Sequence, residues 1–204
     1  MIRIYHRAGA GRPVRVVWVL EELGEPYEVT VVSKEDCSGP EHLARQPLGR
    51  VPVLEDEHGF VFESAAICMH LADLRPEAGL MPPLGTHDRA LAYQWVVFGP
   101  AELEPPLIDS AMHRESDPKR AAKQGKRFES ALQVVAERLG DEQYLVGGAF
   151  TVADVMISSV VSFAVRARMP DPLPQNLADY LARMEARPAR QRAAEAISAL
   201  SAAR

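Results

Sequence analysis

A polar pair, Glu63 and Ser64, lies where an apolar run ends and a helical pattern begins. The preceding run, Phe60–Phe62, is typical of a strand, and Ala65–Ile67 opens the helical pattern. The first turn of a helix leaves N–H groups without intrahelical partners and lies at the positive end of the helix dipole. A bound carboxylate or phosphate would be stabilised there. The alternative is a simple helix cap with a solvated carboxylate.

Pro52 lies in an earlier apolar run, Val51–Leu54, which an acidic turn closed by Gly59 connects to Phe60–Phe62. Two such runs around a short turn predict a β-hairpin. Because proline cannot donate a ladder hydrogen bond, it belongs at an edge or at the start of a strand. A cis bond before Pro52 would leave the Val51 main chain facing outward, where it could pair with an extended ligand.

Length and composition limit the classes of protein to consider. The chain has 204 residues, which fits one or two domains of about 100–200 residues each, and 47% hydrophobic residues support a sizeable core. A net charge of −5 without a Lys/Arg block argues against nucleic acid or an anionic membrane surface as a partner. The longest nearly apolar run, Val155–Val165, is too short to span a bilayer, so no membrane partner is predicted.

The cysteines and histidines show no metal or redox spacing. Cys37 and Cys68 are far apart, no Cys-x-x-Cys precedes the first helix, and the six histidines are scattered. We therefore predict no metal site. Met1 leads directly into a strand-like I-R-I-Y, so no signal peptide is expected and reduced thiols in the cytoplasm are the default.

The order of elements predicts an α/β domain followed by helices. Ile2–Tyr5 and Glu28–Val32 have strand patterns on either side of a helix that begins at Pro13, which implies a right-handed parallel crossover. A weak helix near Glu41–Arg45, the hairpin and a helix over Ser64–Leu74 complete the sequence of elements. The resulting order, βαβαββα, is that of a thioredoxin-like domain.

A Pro- and Gly-rich stretch after the third helix marks the boundary between two domains. We place the thioredoxin-like domain at 1–76, a linker at 77–86 and an all-helical domain at 87–204. Within the second domain, Thr151 and Asp154 form a capping-box variant at the start of an apolar helix. Their predicted role is structural.

Several segments, in this order, resemble the cytosolic glutathione transferases and bacterial members in particular. The V-P-V-L segment, the hairpin and E-S-A-A-I resemble the glutathione-binding half, and F-T-V-A-D-V resembles the capping motif of the core helix in the all-helical domain. L-E-E-L-G-E-P-Y-E and A-E-L-E-P-P-L also look like bacterial members, so the resemblance covers the whole chain. It implies a transferase with glutathione as co-substrate, a small electrophilic substrate, a cytoplasmic homodimer and a role in detoxification.

The resemblance also assigns roles to individual residues. Pro52 would follow a cis bond, and Val51 would pair through its backbone with the cysteinyl part of glutathione. Glu63 and Ser64 would hold the γ-glutamyl end. Arg50 is a candidate for the glycine carboxylate of glutathione. His42 and Gln46 are weaker candidates for the same group.

The loop between the first strand and the first helix departs from the family pattern. Relatives place a Ser, Cys or Tyr there to stabilise the thiolate, whereas the usual Ser position falls on Ala10. Arg12 could replace it, because a guanidinium supplies five N–H donors and a permanent charge. Tyr5, at the end of the first strand, is a second candidate. Other candidates are the main-chain N–H groups of residues 10–12, and the side chains of His6 and Arg7.

Three readings of the function follow. The first is a glutathione transferase whose thiolate attacks an electrophilic carbon or reduces a peroxide or disulfide. The second, which Ala10 favours, is a non-catalytic glutathione- or ligand-binding protein of the same fold. The third is a structural module, and the complete γ-glutamyl site at Glu63 and Ser64 argues against it.

Overall fold

The computed structural model describes residues 1–202, which form two compact units. The first unit comprises Met1–Ala78 and the C-terminal segment that begins at Ala186, and the second comprises Gly79–Glu185. The domain limits drawn from the sequence, 1–76, 77–86 and 87–204, stay a prediction. Their last two residues, Ala203 and Arg204, lie outside the described part of the chain.

The elements follow the chain in the order expected for a thioredoxin-like domain and a helical domain. The strands are β1 (Ile2–His6), β2 (Tyr27–Val31), β3 (Val53–Asp56) and β4 (Gly59–Phe62). The α-helices of the described chain are α1 (Pro13–Leu23), α2 (Pro40–Arg45), α3 (Ser64–Leu74), α4 (His87–Phe98), α5 (Glu104–His113), α6 (Pro118–Leu139), α7 (Val152–Ala167), α8 (Gln175–Glu185) and α9 (Pro188–Ala202). Short 3₁₀ turns lie at Asp36–Ser38 and Pro76–Ala78. The predicted fold class is confirmed.

The four strands of the first unit form one mixed sheet in the order β2-β1-β3-β4. β1 and β2 are parallel, whereas β3 is antiparallel to both β1 and β4. Pro52 immediately precedes β3, so its missing N–H removes no ladder hydrogen bond. Tyr5 lies opposite Thr30 on one side and Val53 on the other, and this register determines which loops meet at the edge of the sheet.

Local sequence signals explain the limits of the helices that flank this sheet. α1 begins with Pro13 at its first position and ends before Gly24, which has the left-handed φ of 66°. α3 runs from Ser64 to Leu74, as the sequence predicts. Both helices bury apolar side chains, and the two pack against each other.

The helices of the second unit also follow the predicted pattern. α4 ends at Phe98, and a turn of π-helix over Gly99–Leu103 replaces regular helix around Pro100. The buried Asp154 carboxylate accepts hydrogen bonds from the N–H of Thr151 at 2.9 Å and from the hydroxyl of Tyr180 at 3.0 Å. Burial raises the pKa of Asp154, although these hydrogen bonds oppose the rise. The structural role predicted for Thr151 and Asp154 agrees with these contacts.

The C-terminal helix α9 belongs to the first unit and packs on α1. Ala189, Ala193 and Ile197 form its buried stripe at four-residue spacing. The sequence predicts the helix but not its location, because an amphipathic pattern does not identify the surface that covers it. No helix of the described chain is long and apolar enough to cross a membrane.

Candidate functional site

The N-terminus of α3 has a strained backbone. Glu63, the residue before the helix, has φ 70° and ψ 114°, a conformation that costs a non-glycine residue about 1–3 kcal/mol. The Glu63 side chain is exposed, whereas Ser64 at the first helical position is buried. In the described residues the Glu63 side chain makes no capping hydrogen bond. The exposed Glu63 carboxylate thus lies beside the N–H groups at the start of α3. The carboxylate could bind an ammonium group, and the N–H groups could bind a carboxylate of the same ligand.

The Val51–Pro52 segment lies directly beside this helix start. The peptide bond between the two residues is cis. Val53 pairs with Phe62 across the β3–β4 hairpin, so Pro52 and Glu63 occupy the next positions and face each other. The hairpin therefore brings Val51 and Pro52 together with Glu63 and Ser64.

The loop before Val51 is held by buried polar side chains. The Gln46 Oε1 accepts hydrogen bonds from the N–H groups of Leu48 at 2.7 Å and Arg50 at 3.0 Å. The His42 Nε2 lies 3.0 Å from the Arg50 carbonyl oxygen. His42 and Gln46 thus support the loop from inside, while the Arg50 side chain is exposed beside Val51.

Gly49 completes this loop. Its φ is 63°, and a Cβ at this position would stand 2.5 Å from the Cys37 carbonyl oxygen. A larger residue would displace either the loop or the 3₁₀ turn that contains Cys37. The side chains of Val51 and Cys37 pack in one apolar cluster with Tyr5, Val32 and Val53. The sequence signal for this support is the Gln-Pro-Leu-Gly run at 46–49, whose glycine is typical of a turn.

The loop between β1 and α1 lies at the same end of the strands as Val51 and Pro52, because β1 neighbours β3 with Tyr5 opposite Val53. Arg12 is the residue before α1 and has an ordinary helical backbone, with φ −62° and ψ −36°. Its carbonyl oxygen accepts the N–H of Arg15 at 3.1 Å. Pro13 has no N–H, and the N–H groups of Val14 and Arg15 donate to main-chain carbonyls, so the candidate donor that the start of α1 offers is the Arg12 guanidinium, whereas Ala10 offers no hydroxyl.

The Tyr5 hydroxyl is engaged within the sheet. Its hydroxyl donates a hydrogen bond to Glu55 at 2.7 Å, and the Arg45 guanidinium lies 4.4 Å from its ring centre. Burial, followed by the contact with Glu55, raises the pKa of Tyr5. A thiol activator must donate a hydrogen bond to the thiolate sulfur, and this hydroxyl already donates to a carboxylate. Thiol activation by Tyr5 stays a prediction that no contact of the structure favours.

Three further titratable groups near the sheet are buried: His6, Cys37 and Cys68. His6 has no exposed surface, and burial lowers its pKa, so the ring is neutral at physiological pH. Cys37 and Cys68 are buried free thiols, and burial raises the pKa of Cys68 to about 12. Among residues 1–202, no group of three His, Cys, Asp or Glu side chains could hold a metal ion.

Comparison with known proteins gives matches along most of the chain. Residues 2–73 match the family model described as "Glutathione S-transferase, N-terminal domain". Residues 117–189 match the model described as "Glutathione S-transferase, C-terminal domain". Glutathione S-transferase 4 of Zea mays is 32% identical over 165 residues, which cover 76% of this chain and 73% of that protein.

Solved structures are similar over nearly the full length. A glutathione transferase of Methylococcus capsulatus is 30% identical, with a TM-score of 0.88, and the alignment covers 97% of this chain and 99% of that one. A glutathione transferase family member of Pseudomonas fluorescens, solved with two glutathione bound, is 26% identical. Its TM-score is 0.82, and the alignment covers 94% of this chain and 91% of that one.

Proposed function

The chain belongs to the glutathione S-transferase family, and we propose that it binds glutathione and lowers the pKa of its thiol. The thiolate would then attack an electrophilic carbon or reduce a peroxide or disulfide. The observation that carries this proposal is the juxtaposition of the Val51–Pro52 segment with Glu63 and Ser64 across the hairpin. Because the relatives are named transferases, the non-catalytic alternative is not favoured.

Binding of the γ-glutamyl end falls to Glu63 and Ser64. The ammonium of glutathione would pair with the exposed Glu63 carboxylate. Its carboxylate would accept hydrogen bonds from the Ser64 hydroxyl and from N–H groups at the start of α3. The strained backbone of Glu63 supports this role, because strain of that kind is concentrated at functional sites.

Binding of the rest of the tripeptide falls to the loop that ends at Pro52. The cysteinyl main chain would pair with the main chain of Val51, as an added strand pairs with the edge of a sheet. The exposed Arg50 side chain would meet the glycine carboxylate. The hydrogen bonds of Gln46 and His42 support this assignment, because they hold the Arg50 main chain in place before ligand binds.

Thiol activation falls to the start of α1. A free thiol has a pKa near 8.5, so a drop of about two units requires roughly 2.7 kcal/mol of thiolate stabilisation. We assign this to the Arg12 guanidinium together with the dipole of the helix. Ala10 supports the assignment, because the loop has no hydroxyl at the position the family uses.

The test is a thiol titration of glutathione bound to the wild type and to Arg12→Ala, followed by absorbance of the thiolate. We expect a depressed thiol pKa in the wild type and a rise of about one unit in the variant, since one unit equals 1.36 kcal/mol. Arg127→Ala, which removes an exposed arginine of α6, is the matched control and should leave the pKa unchanged. Tight binding with an unshifted thiol in the wild type would contradict transferase activity.

We further propose a cytoplasmic homodimer that acts in detoxification. The exposed fractions of Phe60, Phe62 and Leu48 are 46%, 42% and 67%, which leaves an apolar surface at the β4 edge of the first unit. A second copy would cover this surface. The two buried free thiols support a reducing compartment. Light scattering of the wild type and of Phe60→Glu tests the dimer.

A further inference from the structure

The C-terminal end of α1 carries two adjacent acids that arginines of the C-terminal segment bind. Arg187 donates two hydrogen bonds to Glu22, at 2.6 and 2.9 Å. Arg192 donates to the Glu21 carboxylate at 2.6 Å and to the Glu21 carbonyl oxygen at 3.1 Å. All four residues belong to the first unit. The C-terminal segment therefore holds the end of α1 that lies opposite the proposed thiol site.

Each acid also has a partner within the N-terminal part of the chain. The Trp18 Nε1 donates to Glu22 at 2.8 Å, and the Tyr27 hydroxyl donates to Glu21 at 2.6 Å. The Arg187 and Glu22 side chains are 26% and 12% exposed, so solvent screens this ion pair less than one at the open surface, whereas the Arg192 side chain that binds Glu21 is 53% exposed. Both carboxylates are thus fixed by several donors from different elements.

Two acids at this end of a helix are unfavourable without positive partners. The C-terminus of a helix carries negative partial charge, and α1 has no basic residue of its own in the last turn. Arg187 and Arg192 supply that positive charge from the C-terminal segment. The guanidinium of Arg187 binds Glu22 through two of its three nitrogens, Nε and Nη2, so it fixes direction as well as distance.

The two attachments together restrict rotation of α1 about its own axis. Adjacent helical residues project about 100° apart, so Glu21 and Glu22 are held in two directions rather than one. Because a helix has a radius of roughly 5–6 Å with its side chains, a rotation of about 10° would move a group at its surface by about 1 Å. Displacements of about 1 Å at a reacting centre can reduce a rate by about 100-fold.

The start of α1 depends on such support because its local capping is weak. Arg12, the residue before the helix, makes no side-chain capping hydrogen bond within the part of the chain that the structure describes. The first turn contains no acid, and its N–H groups at Val14 and Arg15 donate only to the neighbouring carbonyls of Gly11 and Arg12, at 3.2 and 3.1 Å. Side-chain capping therefore contributes little to the position of this turn, whereas Arg187 and Arg192 hold the far end of the helix.

We propose that Arg187 and Arg192 are positioning residues for thiol activation. By holding Glu22 and Glu21 they fix the placement and rotation of α1, and hence the position of the donors at its N-terminus relative to the glutathione sulfur. This inference rests on the proposed function. The γ-glutamyl end binds at α3, so a displaced α1 would affect the thiol more than it affects binding.

The experiment compares the wild type with Arg187→Ala, Arg187→Lys and Arg192→Ala. Three quantities are measured for each: the dissociation constant of S-methylglutathione, which has no thiol to ionise, the thiol pKa of bound glutathione, and the pH profile of kcat. Arg120→Ala is the matched control, because Arg120 makes the same two-bond contact to Asp109 in the second unit, at 3.0 and 2.7 Å.

We expect Arg187→Ala to raise the bound thiol pKa by about half a unit to one unit, which lowers kcat about 3–10-fold at pH values below the pKa. The dissociation constant of S-methylglutathione should stay within about twofold of the wild type. Arg187→Lys should give a smaller shift, because lysine keeps the charge without the two-bond geometry. Arg192→Ala should shift the pKa in the same direction, and Arg120→Ala should not shift it.

A lower melting temperature in Arg187→Ala with an unshifted pH profile would overturn the proposal, because the pairs would then only stabilise the fold. An equal pKa shift in Arg120→Ala would overturn it as well. If Arg187→Ala does not fold, Arg187→Lys and Arg192→Ala decide the outcome by the same measure. An unshifted glutathione thiol in the wild type would instead refute the proposed function, and this inference with it.

Discussion

The N-termini of α1 and α3 differ in how their local sequence prepares them for a ligand. At α3, an exposed acid in a strained conformation precedes a buried serine. At α1, Arg12 has ordinary helical geometry, and Ala10 in the preceding loop has no hydroxyl. The two helices have the same length and pack against each other. Both begin at the same end of the strands, because β1 and β4 run in the same direction. Only α3 carries its ligand chemistry in adjacent side chains.

This difference separates recognition from activation. Recognition of an amino-acid head requires an acid, a hydroxyl and free N–H groups, and one strand-to-helix junction can supply them all. Activation requires donors at a defined distance from one sulfur atom, so it depends on the placement of a whole helix. The C-terminal segment, which binds the far end of α1, is the part of the described structure best suited to set that placement.

The largest effect is expected for Ser64→Ala, which tests whether the N-terminus of α3 binds glutathione. Loss of a hydrogen bond to a charged group costs about 1.5–3 kcal/mol, so the affinity for glutathione should fall about 10–100-fold. Isothermal titration calorimetry measures it, and Ser130→Ala on the exposed face of α6 is the control. If the variant mainly lowers the melting temperature and keeps its affinity, Ser64 serves the helix rather than the ligand.

Tyr5→Phe tests whether a side chain of β1 contributes to thiol activation at the start of α1. The variant removes the hydroxyl that donates to Glu55, so the free energy of unfolding should fall by about 1.5 kcal/mol, the low end for a hydrogen bond to a charged group, because Glu55 keeps its contact with Arg3. The thiol pKa of bound glutathione should not change. Denaturant unfolding and the thiol titration measure the two quantities, with Tyr93→Phe as a half-exposed control. A rise of the thiol pKa by one unit would identify Tyr5 as the activator after all.

Glu63→Gly should make the protein more stable but a weaker binder. Glycine adopts positive φ freely, so relief of about 1–3 kcal/mol of strain exceeds the entropic cost of about 0.5–1 kcal/mol that glycine brings. The net gain is about 1 kcal/mol in unfolding free energy, while loss of the carboxylate weakens glutathione binding. Thermal unfolding with and without glutathione measures both. Glu57→Gly, at a residue without positive φ, is the control and should bring no gain.

The smallest effect is expected for Ala10→Ser, which restores the hydroxyl of related enzymes. A hydroxyl aimed at the sulfur should lower the bound thiol pKa, by about half a unit because the loop is not shaped around it. The same titration measures it, with Ala8→Ser as the control in the same loop. An unchanged pKa would show that position 10 does not face the sulfur. The contrast drawn between α1 and α3 would then no longer rest on the missing hydroxyl at Ala10.

Much of the fold was predictable because it depends on short-range patterns. The limits of α3, the start of α1 at Pro13 and the hairpin closed by Gly59 follow from local turn and capping signals. The break after α4 follows from Pro100. The pairing of the candidate site residues was also implied, since a hairpin places the residue before one strand beside the residue after the other.

Other features of the candidate site were not predictable from the sequence. The positive φ of Glu63 has no compositional signal, because glycine or asparagine usually marks that conformation. The hydroxyl of Tyr5 meets Glu55 only because β1 and β3 are neighbours. The sequence suggested His42 and Gln46 as candidates for the glycine carboxylate of glutathione. In the structure both side chains are buried and hydrogen-bond to the main chain of the loop before Val51.

By itself the sequence determined the elements, their order and the residue types at the start of α3, because these depend on interactions within a few residues. Only the tertiary structure decided that α9 returns to the first unit, and that Arg187 reaches Glu22 across a separation of 165 residues. Contacts of that kind depend on how amphipathic surfaces are matched in space, and many surfaces satisfy the same apolar pattern. The position of α1, and with it the proposed thiol chemistry, is therefore a property of the folded chain as a whole.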